Sequence, residues 1–322
     1  MKILITGVAG FIGSHLAQHL LKTHTILGID NLDTYYSANL KLKNLLSIQN
    51  HPNFFFIKGS ILNIEELLKP FPKPDIIIHL AGIPGIKPSL HNPFYYSENN
   101  FIGSLKVFEF AKNNSIHKII FSSSSSVYGN NVTPFTEDQI TDKQLCPYAV
   151  LKKSTELLLY SYYINFNIDV LIFRLFSIYG ERQRPDLVIQ KFCNLILSDQ
   201  TIKIYGDGES KRDFTHINDL LVGIEKGIEY ISNHNTYEIL NLGNSNPVSI
   251  NYLINQLEIC FEKKIKLEYV DKNKEDADST YANIDKAKKL LNYTPGISFE
   301  EGLKSFVIQK KEEFKNGNLF GI

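Results

Sequence analysis

Apolar and polar positions alternate in blocks along the first 176 residues, and these blocks predict strands and helices in turn. Short, nearly continuous apolar runs predict strands near residues 2–7, 25–30, 53–58, 75–81, 117–123 and 169–176. Helical periodicity follows Gly13 and occupies residues 93–113 and 148–165. Strands that are apolar on both faces and alternate with helices are typical of a doubly wound parallel sheet. We therefore predict an α/β fold with a Rossmann-type sheet.

The pattern changes after Gly180. A polar, arginine-rich segment precedes a predicted helix that ends at Asp199, and strands follow at 201–205 and 238–243. A helix at 249–261 and a strand at 265–269 complete the predicted elements. We expect a smaller second domain that is interleaved with the first. The predicted boundaries place residues 1–180 and about 213–245 in the first domain, and about 181–212 and 246–322 in the second.

Composition restricts the kind of partner. The 322 residues contain 34 Lys and Arg and 34 Asp and Glu, so no overall field favours nucleic acid or a membrane surface. No apolar run approaches the roughly 18 residues of a transmembrane helix, and the N-terminus does not resemble a signal peptide. Cys146, Cys193 and Cys260 are scattered and lack metal-ligand spacing, which predicts reduced thiols and no metal site. We expect a cytoplasmic protein that acts on a small molecule.

Three glycines separate the first predicted strand from the first helix. Gly7, Gly10 and Gly13 are spaced Gly-x-x-Gly-x-x-Gly, unlike the common dinucleotide fingerprint Gly-x-Gly-x-x-Gly. Such glycines let the backbone approach a pyrophosphate at a helix N-terminus, although the triplet alone is equally consistent with ordinary turns. The second strand ends at Asp30, where a carboxylate can accept hydrogen bonds from adenosine ribose hydroxyls and repel a 2′-phosphate. This context favours NAD over NADP, while Asp30 taken alone could be a helix cap.

A tyrosine and a lysine one helical turn apart form the second chemical feature. Tyr148 and Lys152 follow Ser124 by 24 and 28 residues, and Ser124 lies in a run of five serines. A phenol with an ordinary pKa of about 10 is a poor base at neutral pH, and a lysine on the same helix face favours the phenolate. We expect Tyr148 to accept a proton from a substrate hydroxyl.

Taken in their order along the chain, the motifs resemble those of the extended short-chain dehydrogenase/reductase family, and within it those of the nucleotide-sugar epimerases. The likeness covers almost the whole chain. Its motifs are the glycine turn at 7–13, Asp30-Asn31-Leu32, His79-Leu-Ala-Gly82, Asn100 with Gly103, the serines at 122–126, Tyr148 with Lys152, and the segments 174–180, 212–219, 280–284 and 292–295.

The resemblance implies a 4-epimerase that uses bound NAD. Tyr148 would take the proton from the sugar 4-hydroxyl as hydride leaves C4 for the nicotinamide, Ser124 would bond the same oxygen, and Lys152 would hold the nicotinamide ribose. Rotation of the 4-keto sugar and return of the hydride would invert the centre. A homodimer is also implied. The implied cofactor-binding residues are Gly7, Gly10, Phe11, Ile12, Gly13, Asp30, Asn31, Ser60, Ile61, Leu80, Ala81, Gly82, Asn100, Ser122, Tyr148 and Lys152.

Two serines separate the chain from relatives that perform eliminations. Dehydratases of this family carry an Asp-Glu pair after the catalytic threonine, and the related decarboxylases carry a glutamate two residues after it. Ser125 and Ser126 stand at those positions. A hydroxyl cannot do the acid/base work of a carboxylate near neutral pH, so we expect neither dehydration nor decarboxylation.

The predicted substrate is a UDP-sugar. Residues 30–36 with 40–41, 85–90 with 92–93, and 184–187 resemble UDP-glucuronate 4-epimerases, and Arg212 matches an arginine that binds the nucleotide diphosphate. Ser60, Lys87 and Ser177 depart from that pattern, in which an aspartate, an arginine and a threonine are usual. The implied substrate-binding residues are Lys87, Ser124, Ser125, Ser126, Tyr148, Ser177, Arg184, Arg212 and Asp276.

Several functions therefore remain open at the level of sequence. UDP-glucuronate is the leading substrate, with UDP-glucose and UDP-N-acetylglucosamine as alternatives. A net sugar-nucleotide oxidoreductase and a non-catalytic nucleotide-binding protein are the competing classes. Turnover without added cofactor would distinguish an epimerase from both.

Overall fold

A computed structural model describes residues 1–271 and 279–317 of the chain. Its strands are β1 Lys2–Thr6, β2 Thr25–Asp30, β3 Phe54–Lys58, β4 Ile76–His79, β5 Lys118–Ser124, β6 Asp169–Leu175, β7 Ser177–Tyr179, β8 Ile202–Tyr205, β9 Lys211–Arg212, β10 Phe214–His216, β11 Tyr237–Leu242, β12 Val248–Ser249, β13 Leu267–Val270 and β14 Ser279–Thr280. Its α-helices are α1 Phe11–Leu20, α2 Ala38–Leu45, α3 Ile64–Leu68, α4 Ile86–His91, α5 Pro93–Ser97, α6 Gly103–Asn113, α7 Pro147–Phe166, α8 Val188–Leu197, α9 Ile217–Asn233, α10 Ile250–Phe261, α11 Asp285–Leu291 and α12 Phe299–Lys315.

The main sheet confirms the predicted fold class. Seven parallel strands lie in the order β3-β2-β1-β4-β5-β6-β11. Along β1, Ile3 and Ile5 face one core while Leu4 faces the core on the other side, as the two-residue period of a strand requires. The order reverses direction between β1 and β4, and in such sheets ligands bind in the crevice beyond the carboxyl ends of these strands.

Two predicted helices differ in detail from the structure. The first helix begins at Phe11, before Gly13, because Gly10 is still extended and acts as its N-cap. The helix predicted over 93–113 is divided into α5, a π-helical turn at Glu98–Ile102, and α6. Apolar periodicity continues through such a turn, so the sequence pattern does not show it.

A second group of elements packs around its own core. Here β7 pairs with β10, β8 with β13, and β9 with both β12 and β14. Their buried side chains form a cluster with α8, α10 and α12 that includes Phe214, Leu253 and Phe299.

The boundaries between the two domains stay a prediction. Because Ala287, Leu291 and Tyr293 are buried in a core of the main sheet, we propose that residues 282–293 fold with the first domain.

Candidate active site

A cavity of about 720 Å³ lies at the carboxyl ends of the main-sheet strands and extends to the second group of elements. This volume lies in the range of ordinary small-molecule sites. Of the site residues predicted from sequence, Asn100 does not line the cavity, and Asp276 lies outside the described residues. The others, drawn from segments far apart in the chain, all line it.

The glycine turn forms one wall of the cavity. Gly7 has a φ of +74°, and a Cβ there would lie 2.9 Å from the amide nitrogen of Ala81. A Cβ on Gly13 would lie 2.2 Å from the carbonyl oxygen of Gly7. Helix α1 begins beside them without a side-chain cap and without an acidic residue in its first turn. Its first amide groups are therefore suited to bind an anion such as the pyrophosphate of a dinucleotide.

Asp30 lies at the end of β2 and is almost fully buried. Its carboxylate accepts hydrogen bonds from the backbone amides of Ala9 (3.1 Å) and Leu32 (2.8 Å). Burial raises the pKa of Asp30, while the charge of Lys41 and the two backbone amides oppose that shift. The ammonium of Lys41 lies 4.8 Å from the centre of the Tyr36 ring. Asp30 thus braces the glycine turn and lines the cavity as well.

Two residues that the sequence assigns to cofactor binding also form hydrogen bonds within the protein. Ser60 caps a short 3-10 turn, accepting a hydrogen bond from the amide of Leu62 at 3.3 Å. Asn100, in the π-helical turn, is bonded twice to Ile83: its Oδ1 accepts from the Ile83 amide (2.6 Å) and its Nδ2 donates to the Ile83 carbonyl (2.9 Å). Asn100 therefore holds the loop after β4 from behind the cavity wall.

The serine, tyrosine and lysine meet where β5 ends against the start of α7. Lys152 donates from Nζ to the carbonyl oxygen of Ser122 at 2.6 Å. The Ser124 hydroxyl accepts hydrogen bonds from the amide (3.2 Å) and the hydroxyl (3.0 Å) of Ser126. The backbone amide of Tyr148 donates to the hydroxyl of Ser89 at 3.2 Å, which fixes the first turn of α7. The three candidate catalytic groups therefore share one end of the cavity.

The charges around Tyr148 differ from the sequence expectation. Burial raises the pKa of the Tyr148 phenol, and the hydrogen bond from Ser124 and the charge of Arg184 lower it. Arg184, rather than Lys152, is the cation that favours the phenolate in this structure. Burial lowers the pKa of Lys152 to about 8, and the charge of Glu156 opposes that change. A sequence pattern cannot reveal Arg184 in this role, because it lies 36 residues further along the chain, in the loop between β7 and α8.

Basic side chains from the second group of elements and from α4 line the opposite wall. Arg184 forms a two-pronged ion pair with Asp186, with both N–O distances at 3.0 Å, and the Tyr35 hydroxyl donates to the same carboxylate at 3.3 Å. The Lys87 ammonium lies 5.1 Å from the centre of the Tyr205 ring. Arg212 and Ser177 line the cavity from β9 and β7. This wall can bind an anionic ligand.

Sequence reasoning missed a buried ion pair directly behind the catalytic group. Arg174 of β6 donates to both carboxylate oxygens of Glu156 of α7, at 3.0 and 2.8 Å. The Ser123 hydroxyl donates to the same carboxylate at 2.6 Å. The position of Glu156, four residues after Lys152, was the available signal.

The described residues contain neither a candidate metal site nor a candidate membrane-spanning helix. Over residues 1–271 and 279–317, no group of three or more His, Cys, Asp or Glu side chains could hold a metal ion. Across the same part of the chain, no helix has both the length and the apolar character needed to span a membrane.

Comparison with known proteins gives consistent matches along almost the whole chain. The family model of GDP-mannose 4,6-dehydratase matches residues 4–306. A UDP-glucuronate 4-epimerase of Thermodesulfobacterium geofontis is 42% identical over 316 residues, which are 97% of this chain and 97% of the relative.

Two solved structures are also similar. The UDP-glucuronic acid 4-epimerase from Bacillus cereus, in complex with UDP-glucuronic acid and NAD, matches with a TM-score of 0.91 and 37% identity, covering 97% of this chain and 99% of that one. The UDP-N-acetylglucosamine 4-epimerase from Methanobrevibacter ruminantium M1, in complex with UDP-N-acetylmuramic acid, matches with a TM-score of 0.88 and 32% identity, covering 97% and 98%.

Proposed function

We propose that this chain, which belongs to the GDP-mannose 4,6-dehydratase family of extended short-chain dehydrogenases/reductases, is an NAD-dependent 4-epimerase of UDP-sugars. The observation that carries the proposal is the meeting of Ser124, Tyr148 and Lys152 in the cavity that the glycine turn also lines. An acid/base group beside a dinucleotide site is what reversible oxidation of a sugar hydroxyl requires. A non-catalytic nucleotide-binding protein would have no use for it.

The cofactor fits the residues that are present. Gly7 and Gly13 leave no room for side chains, and the free first turn of α1 would bind the pyrophosphate. Asp30 would accept hydrogen bonds from the adenosine ribose, and Lys152 would hold the nicotinamide ribose. When bound, NAD supplies a reversible hydride acceptor.

Protein side chains accept and return the proton of the sugar 4-hydroxyl. Tyr148 accepts this proton as the hydroxyl becomes a ketone, and returns it when the alcohol is formed again. Ser124 bonds the same oxygen and keeps it next to the phenol. The positive charge of Arg184 stabilises the negative charge that Tyr148 carries in its base form.

The identity of the neighbouring side chains favours epimerisation over elimination. Ser125 and Ser126 line the cavity beside Ser124, where dehydratases and decarboxylases need a carboxylate. Without a carboxylate at positions 125 and 126, a 4-keto sugar lacks the acid that those relatives use to remove water or carbon dioxide. Inversion at C4 is the reaction that these residues support.

UDP-glucuronate is the substrate that the charged wall supports best, with UDP-galacturonate as its product. A sugar carboxylate that leaves water needs compensating partners, and Arg184, Lys87 and the hydroxyl of Ser177 line the cavity. A neutral hydroxymethyl would gain less from these cations than a carboxylate does. The alternative substrates are UDP-glucose and UDP-N-acetylglucosamine, and the observation in their favour is Lys87, a single-point cation in place of an arginine fork.

The substrate is tested by measuring kcat/KM for the three UDP-sugars side by side, with products identified by NMR and without added cofactor. We expect UDP-glucuronate to be preferred. A preference of more than tenfold for UDP-glucose or UDP-N-acetylglucosamine would reject glucuronate but keep the epimerase. Release of a keto sugar together with NADH would indicate the oxidoreductase instead. The Lys87→Met variant should lose activity on UDP-glucuronate while activity on UDP-glucose stays near wild type.

We also propose a cytoplasmic homodimer. Helix α7 carries exposed apolar side chains at Val150, Leu157, Tyr160 and Ile164, and its inner face is buried as well. A helix with apolar side chains on its outer face as well as its inner face is often covered on both sides. Sedimentation equilibrium tests the proposal, and Leu157→Lys should shift the protein toward the monomer. A wild-type protein that is monomeric at micromolar concentration would contradict it.

A further inference from the structure

Two consecutive residues at the end of β5 bind two successive turns of α7. The carbonyl of Ser122 accepts a hydrogen bond from the ammonium of Lys152 at 2.6 Å, and the hydroxyl of Ser123 donates to the carboxylate of Glu156 at 2.6 Å. Ser124, the proposed catalytic serine, is the next residue of the strand. The strand and the helix that carry the catalytic groups are therefore pinned together directly beneath them.

Glu156 is held from its far side by a second element. Arg174 of β6 forms both ionic hydrogen bonds with it, and the guanidinium carbon lies 4.7 Å from the centre of the Tyr128 ring. The side chain of Glu156 is 0% exposed and that of Arg174 is 1% exposed. Lys153 adds a weaker contact to Glu156 at 3.5 Å.

Stability alone does not account for this pair. Removing two charges from water is costly, and replacing a buried ion pair by apolar residues often leaves a protein equally stable or more stable. A charge at this position does have an electrostatic consequence, because Glu156 and Lys152 are four residues apart and share one face of α7.

We propose that Glu156 is a positioning residue that keeps Lys152 protonated and holds α7 in place against the end of β5. It acts through its charge on Lys152 and through its hydrogen bond with Ser123. The protonated lysine is the form that can donate charge-assisted hydrogen bonds to a ribose hydroxyl. The inference rests on the proposed epimerase function only for its kinetic test.

The other groups around Lys152 do not replace this charge. His79 of β4 is buried, which lowers its pKa to about 3 and leaves it neutral. Strand β5 presents the Ser122 carbonyl and the Phe121 ring, whose centre is 4.7 Å from the ammonium. Tyr148 lies on α7 itself. The cation Arg174 is ion-paired with Glu156. Burial lowers the pKa of Lys152, and Glu156 is the charge that opposes it.

The Glu156→Gln variant provides the test. Without the carboxylate charge, Lys152 should lose its proton at lower pH, so the alkaline limb of the kcat profile of the holoenzyme should move down by about one pH unit. The same shift should appear directly in the ¹³C NMR titration of the Lys152 side chain, assigned by its absence in Lys152→Met. If Glu156→Gln does not fold, Glu156→Gln/Arg174→Met should shift the Lys152 titration in the same direction but by less, because it also removes the opposing guanidinium charge.

Glu109→Gln is the matched control. Glu109 of α6 accepts hydrogen bonds from Lys112 and from Tyr162 of α7, so it also ties a helix to α7, at a place away from Lys152. We expect no change in the Lys152 titration there. An unchanged Lys152 titration in the Glu156 variants, with kcat reduced equally at every pH, would overturn the inference, as would an equal shift in Glu109→Gln. The NMR titration needs no turnover, so it decides the inference even if the epimerase assay fails.

Discussion

Replacing Tyr148 by phenylalanine tests the proposed proton acceptor, because it removes only the phenol oxygen. The backbone amide of Tyr148, which donates to Ser89 and fixes the start of α7, is unchanged in the variant. The ring also keeps its half-buried place. The perturbation is therefore confined to the hydroxyl, which lines the cavity with Ser124.

The expected effect is large on the rate and small on the stability. A positioned acid/base group contributes about 10²–10⁴ in rate, so kcat should fall at least about a hundredfold, equivalent to about 2.7 kcal/mol. Phenylalanine is easier to bury than tyrosine, so loss of the hydroxyl should cost little stability. The free energy of unfolding should change by less than about 1 kcal/mol.

Three measurements separate these effects. NMR of the UDP-sugar gives turnover, calorimetry gives NAD affinity, and thermal unfolding gives stability. Tyr293→Phe is the matched control, because this buried tyrosine donates to the Gly243 carbonyl at 3.1 Å and does not line the cavity. It should lose stability while keeping activity.

Wild-type kcat in Tyr148→Phe would remove Tyr148 from the mechanism. Loss of NAD binding in parallel with activity would instead indicate that the hydroxyl supports the site structurally, and the reasoning from proton transfer would be refuted.

Three further predictions follow from the cavity walls. NAD should bind more tightly than NADP to protein stripped of cofactor, because Asp30 would repel a 2′-phosphate, and Asp30→Asn should narrow the difference; equal affinities in calorimetry would show that Asp30 only braces the turn. No nucleotide sugar should lose water or carbon dioxide at a rate near that of epimerisation, because Ser125 and Ser126 replace the necessary acids; mass spectrometry checks this. Gly13→Ala should destabilise the protein by about 1–3 kcal/mol in thermal unfolding and weaken NAD binding, because its Cβ would lie 2.2 Å from the Gly7 carbonyl oxygen. In the control Gly296→Ala the nearest neighbour of the Cβ is at 4.0 Å, so stability and NAD binding should stay unchanged.

The sequence by itself determined the α/β class and the approximate strand positions. Strands buried on both faces are apolar throughout, so their runs are visible without any knowledge of their neighbours. For example, the strand predicted at 25–30 is observed at Thr25–Asp30, and the one predicted at 117–123 at Lys118–Ser124. Residues at the carboxyl ends of such strands meet at one edge of the sheet, and for this reason Gly7, Asp30 and Ser124 line one cavity.

Only the tertiary structure decided which side chains set the charges at the catalytic group. Ser123 and Arg174 reach Glu156 across 33 and 18 residues of chain, and Arg184 influences Tyr148 from the loop between β7 and α8. These contacts depend on strand order, register and the angle at which α7 crosses the sheet, none of which is encoded in the local periodicity of the sequence. The same holds for Asn100, which a motif assigns to the cofactor and which the fold places behind the wall, bonded to Ile83. Local patterns specify elements, whereas the electrostatics of a site depend on distances between elements, and those exist only in the folded chain.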